Sequence, residues 1–144
     1  MSNVREYTVT GTTTGTFGRV LCGARHHHFV VDGPVQNDCP GEALTPAESF
    51  LAGVVACGVE LAQVIAREDG IAIGTVHASI YGKVDRDHPV RPDLTVFNEV
   101  RVTFKIEQAS RDQANTIVQK FQKRCPLFGT VAAACPDVSV VVES

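Results

Sequence analysis

The sequence has no tryptophan, one methionine and only 6 % aromatic residues. Its core must be built mainly from aliphatic side chains and a few of its seven phenylalanines. An excess of one charge is also missing. Lys and Arg number 13 against 16 Asp and Glu, for a formal net charge of −3. So small an imbalance gives no general electrostatic ground for binding nucleic acid or an anionic membrane, and neither is expected as a partner. No Cys-x-x-Cys occurs among Cys22, Cys39, Cys57, Cys125 and Cys135, which disfavours a zinc ribbon or a thioredoxin-type pair. Five cysteines in 144 residues are too few for a disulfide scaffold, and the odd number cannot pair completely within one chain. The opening MSNVREYTVT has no apolar stretch of the kind a secretory signal needs. The expectation is a reducing, cytoplasmic setting with mostly free thiols. No Gly-rich phosphate loop, Ser-His-Asp context or His-Glu-x-x-His is present, and no cofactor is expected.

What is present is the composition of a soluble globule, with 44 % apolar and 20 % charged residues. The length suits a single domain over residues 1–144. Thr- and Gly-rich residues 8–20 read as strands broken by turns at Gly11 and Gly15. Residues 26–32 read as a further strand, closed by Gly33-Pro34, with a loop over 35–43. Residues 45–69 read as a long helix. Thr45 is its N-cap, Pro46 its first residue, Glu48 completes a capping box and Gly70 stops it. Residues 50–59 carry no charge, which predicts burial on every side of that half; Glu60 ends the run well short of a membrane span.

Residues 75–85 alternate, with Val76, Ala78 and Ile80 on one face. Residues 100–107 alternate more cleanly, with Val100, Val102, Phe104 and Ile106 together. Ser110 and Gln113 cap a second helix over 110–124, whose stripe is Ile117, Val118 and Phe121. A short apolar segment after Cys125-Pro126 reads as helical, and residues 139–143 as a strand. The order is β-β-α-β-β-α-β, an α+β domain of antiparallel strands.

Several residues admit chemistry beside a plain structural role. Cys57 lies on the apolar helix among Ala52, Gly53, Ala56 and Gly58, where an inert core thiol is the ordinary reading. Cys125, with Pro126 opening a helix, would sit at an N-terminus that favours a thiolate; a simple helix break is the alternative. Cys135-Pro136 repeats the dipeptide ten residues on, so the dipeptide alone is a weak signal. Glu48 is fully accounted for by the cap. His26 and His28 could ligate metal with Cys22 or Cys39, although a solvated histidine run is the more ordinary outcome.

TPAESFLAGVVAC and CPLFGTV together resemble the OsmC/Ohr family of osmotically inducible and organic hydroperoxide resistance proteins. The separation of Cys57 from Cys125 and the order of elements resemble it too. The resemblance implies an intertwined homodimer with antiparallel β-sheets packed around two long helices. It implies a thiol-dependent peroxidase acting on hydrophobic organic hydroperoxides. Cys57 would be the nucleophile and Cys125 the resolving thiol, and a dithiol such as lipoamide the reductant. An Arg held by a Glu would activate the thiolate, and Arg19, Arg25 and Glu48 are the candidates. Ala47 stands where peroxidases of the family often carry Glu. Phe50, Leu51, Val54 and Phe128 would receive the substrate's tail. A non-enzymatic relative binding an apolar small molecule between protomers, and a metal- or thiol-stress-binding protein, are the other readings.

Overall fold

The structure is a computed structural model that describes residues 3–144. The first two residues of the opening segment lie outside the described ones. The chain forms two compact units, one ending at Phe50 and one spanning Leu51–Ser144.

In the first unit, β1 (Thr10–Thr13), β2 (Arg19–Ala24) and β3 (His27–Asp32) form an antiparallel sheet in that order. Gly11 is not a turn. It sits inside β1 opposite Cys22, where a Cβ would come within 3.3 Å of Val20 Cγ1. The β1–β2 connection runs over 14–18 and contains Gly15, as expected, with Gly18 at φ 77°, a conformation that suits glycine. Ala24 pairs with His27, so Arg25 and His26 form the β2–β3 turn, and Arg25 is left-handed at φ 55°. Val31 and Asp32 are the buried residues of this sheet. Leu21, Phe29 and Val30 are each more than 40 % exposed.

Helix α1 (Pro46–Glu68) begins as its sequence dictates. Glu48 N–H donates to Thr45 Oγ1, and Thr45 N–H donates back to Glu48 Oε2 at 2.8 Å. It ends on Gly70 at φ 66°, with Gly70 N–H bonded to Arg67 O and Ile71 N–H to Ala66 O, the paired bonds of a Schellman motif. Val54, Gly58, Ala62, Ile65 and Ala66 make its buried stripe. Burial on every side is not found. Phe50 is 45 % exposed, and Ala52 and Ala56 are exposed too, because one chain covers one stripe only. By length and composition α1 could cross a membrane, with mean hydropathy 1.8 over its most apolar window, a property it shares with core helices of soluble proteins.

In the second unit α1 packs on a sheet of β4 (Val76–Lys83), β5 (Glu99–Ile106) and β6 (Asp137–Val142). β4 and β5 are antiparallel, Val76 facing Ile106 and Lys83 facing Glu99. β6 is parallel to β5, from Glu99 beside Asp137 to Phe104 beside Val142. The sheet is therefore mixed, not antiparallel throughout. Between β5 and β6 the chain runs through α2 (Arg111–Arg124) and α3 (Pro126–Ala134) and returns to the same end of the sheet, as a parallel pairing demands. The three helices have 23, 14 and 9 residues.

The inward face of β5 (Val100, Val102, Phe104, Ile106) meets Ile117, Val118 and Phe121 of α2 in one apolar core. Phe104 and Phe121 meet edge to face with centroids 5.2 Å apart. A Cβ at Gly58 would lie 2.8 Å from Phe104 Cζ, so glycine there lets the ring reach the helix backbone.

Candidate functional site

Cys57 and Cys125, 68 residues apart, meet with their sulfurs 2.9 Å apart. Each is placed by a local rule. Cys57 follows Val54 by three residues on α1, which puts it on the flank of the buried stripe, half-buried against the core. Cys125 is the hinge between α2 and α3. Its N–H closes α2 on Phe121 O at 2.9 Å, and its backbone is extended (φ −81°, ψ 113°), as a residue before proline should be. Pro126 then opens α3, and Cys125 Sγ accepts the N–H of Phe128 at 3.3 Å as the helix N-cap. The Cys125 side chain is fixed and 2 % exposed.

The sulfurs are free thiols within one short displacement of a disulfide bond of about 2.05 Å. Burial, the neighbouring Cys125 and the charge of Glu60 push the Cys57 thiol up to about 12. Such a thiol stays protonated at neutral pH unless a cation intervenes. Cys135 does not compete for the pairing. It caps the other end of α3, about 15 Å further along at 1.5 Å per residue, and its thiol is turned to Asp137 O.

The first unit holds the charged constellation. Arg19 donates through Nε and Nη2 to the two oxygens of Asp32, at 2.8 and 2.9 Å, and through Nη2 to Glu42 at 2.7 Å. Asp32 is fully buried and also accepts the N–H groups of Glu42 and Ala43. The Arg19 guanidinium bonds hold the Asp32 carboxyl down at about 2. Neither Asp32 nor Glu42 was foreseen as a holder of Arg19. The only hint was an acidic residue closing the apolar run before Gly33-Pro34. Glu48 is bonded to Thr45 through both N–H and Oγ1, which lowers its pKa. Arg25 is exposed in its turn.

Of the expected tail-binding residues, Val54 and Phe128 are core, and the Phe128 ring lies tilted against Phe121 with centroids 5.3 Å apart. Leu51 is half-buried beside Gly82, and Phe50 is exposed. Cys39 is wedged between Gly18 and Gly33, where a Cβ would come within 2.3 and 2.5 Å of its sulfur. Among the described residues no three His, Cys, Asp or Glu side chains gather as a metal site would require, and His26, His28, Cys22 and Cys39 are not brought together in one.

Comparison with known proteins gives a family and a fold. The family described as OsmC-like protein matches residues 39–141. No curated protein sequence matches the chain. Among solved structures, an organic hydroperoxide resistance protein from Elizabethkingia anophelis superposes with TM-score 0.81 at 16 % identity, covering 100 % of this chain and 99 % of that one. An OsmC-like protein from Mycoplasma pneumoniae gives 0.80 at 17 %, covering 96 % and 95 %. An OsmC-like protein of unknown function from Vibrio cholerae gives 0.81 at 10 %, covering 97 % and 100 %. The matched segment takes in both cysteines, both helix caps that place them and the mixed sheet up to Val141. The chain belongs to the OsmC-like family.

Proposed function

We propose that the protein is a thiol-dependent peroxidase that reduces hydrophobic organic hydroperoxides through Cys57 and Cys125. The meeting of the two sulfurs at 2.9 Å carries this reading. Cys57, as thiolate, attacks the terminal peroxide oxygen; the O–O bond breaks, the alcohol leaves with a proton, and a sulfenic acid remains. Cys125 Sγ then attacks Cys57 Sγ and expels water, forming a disulfide that a dithiol such as lipoamide reduces. The chemistry requires a cation to offset the raised pKa of Cys57. Arg19 and Arg25 are the candidates. Arg19, already oriented by two carboxylates, is the better prepared, and Glu48 serves as helix cap. An intertwined homodimer would cover the exposed apolar residues of α1 and of the first sheet, and light scattering of the purified chain tests that state.

Turnover of cumene hydroperoxide with dihydrolipoamide is the assay. Cys57→Ser and Cys125→Ser should each abolish it, and unchanged turnover in Cys57→Ser would sink the assignment. The high pKa of Cys57 favours one second reading, a non-enzymatic relative that binds an apolar small molecule between protomers. Stoichiometric binding that survives loss of both thiols, with no peroxide consumed, would select it.

A further inference from the structure

We propose that in the regeneration step the external dithiol attacks Cys57 Sγ and that Cys125 Sγ is the leaving group. This rests on the disulfide chemistry proposed above and adds its direction. Two separate observations carry it.

The first is access. An attacking thiolate approaches along the S–S axis, opposite the sulfur that departs. Cys125 is 2 % exposed and enclosed within the apolar core. Cys57 is half-buried on the flank of α1. Of the two, Cys125 is closed to an outside reagent by its own chain, and Cys57 is the less enclosed.

The second is where the charge goes. The departing sulfur carries off the electron pair. Cys125 Sγ already accepts the Phe128 N–H at 3.3 Å, and it caps the N-terminus of α3, where unpaired N–H groups and the helix dipole favour an anion. Cys57 is in the middle of a helix, with Glu60 adding an unfavourable charge. A thiolate is expelled more readily when its charge is better accommodated. Access and charge select the same sulfur.

The balance is as follows. The dithiol's thiolate bonds to Cys57 Sγ as the Cys57–Cys125 bond breaks, and the pair leaves on Cys125 Sγ. The dithiol's second thiol, giving its proton to the released cysteine, attacks its own sulfur in the mixed disulfide. A cyclic disulfide departs, and Cys57 leaves as a thiolate that takes up a proton. The dithiol loses two electrons and the protein disulfide gains two. Meanwhile Cys125, poised beside the mixed disulfide, can expel a monothiol again, so a reductant whose second thiol is tethered is favoured.

The test uses the intact chain and needs no hydroperoxide turnover. Diamide oxidises it, and peptide mapping verifies the Cys57–Cys125 disulfide. A brief exposure to excess 2-mercaptoethanol follows, then an acid quench, alkylation and mass mapping. Among the mixed disulfides trapped before Cys125 can expel the monothiol, the mercaptoethanol adduct is expected on Cys57 with the alkyl group on Cys125, in at least about tenfold excess over the reverse. An adduct on Cys125, or equal amounts on both, overturns the proposal. Failure of diamide to join the pair overturns both this direction and the peroxidase reading. An adduct on Cys57 in a chain that consumes no hydroperoxide upholds the direction and overturns the peroxidase reading alone.

Discussion

The two units are held by different means. Residues up to Phe50 form a thin sheet that buries Val31 and Asp32 and ties Arg19 and the 42–43 backbone to one carboxylate. Leu51–Ser144 encloses an apolar core of aliphatic and phenylalanine side chains, with its ion pairs, such as Arg124 to Glu68, on the surface. The difference teaches where each kind of chemistry can be fixed. Oriented charge is anchored in the first unit by a polar node. The thiols are placed in the second by dense packing, which also withholds water from them and raises the pKa of Cys57.

The sharpest way to break this comparison is through the cysteines. Cys57→Ser or Cys125→Ser should lower hydroperoxide turnover at least about 100-fold. Cys39→Ser, in the first unit, should leave it within about twofold, as measured with the same dithiol-coupled assay. Comparable losses from Cys39→Ser would place thiol chemistry in both units.

The next effect contrasts two glycines. Gly58→Ala forces a Cβ against Phe104 and should cost about 1–3 kcal/mol in chemical denaturation. Gly15→Ala meets nothing within 4 Å and should stay within about 0.5 kcal/mol.

Acid should then separate the units. The carboxyl of Asp32 is lowered from 3.8 to about 2, so its contribution is complete above about pH 4 and disappears as pH falls through 2. The stability advantage of the native chain over Asp32→Asn should be constant near neutrality and shrink across that window. A gap that is independent of pH would remove the polar node from the account.

The smallest effect is a cap in the second unit. Ser110→Ala removes the bond from Gln113 N–H and should cost about 1 kcal/mol by thermal denaturation.

Local signals in the sequence mark the elements they build. Thr45-Pro46-x-Glu48 and Ser110-x-x-Gln113 marked helix starts because a cap is made by residues three apart. The alternation of Val100 to Ile106 marked an inward face because successive strand residues point to opposite sides. Features that depend on distant partners were not read from local pattern. The parallel seating of β6 depends on where two helices return the chain, and Arg19's carboxylates come from positions 32 and 42. The uncharged run 50–59 announced an apolar helix but not what covers it; within one chain, only Val54 and Gly58 of that run are fully buried. The pairing of Cys57 with Cys125 followed from family resemblance, since a separation of 68 residues carries no periodicity that joins them.

The parallel pairing of β5 with β6 also has a kinetic side. β4 and β5 can zip as an antiparallel ladder from neighbouring segments, whereas Glu99 meets Asp137 only after α2 and α3 have formed and folded back. Closing so long a crossover costs chain entropy before the ladder repays it. Until then the edge of β5 is open, its backbone groups unpaired and its valines available to any other strand. Dilute refolding, with β6 arriving promptly, should yield the native sheet. Crowded refolding exposes that same edge to a second chain, so the step most open to misassembly is the docking of one six-residue strand.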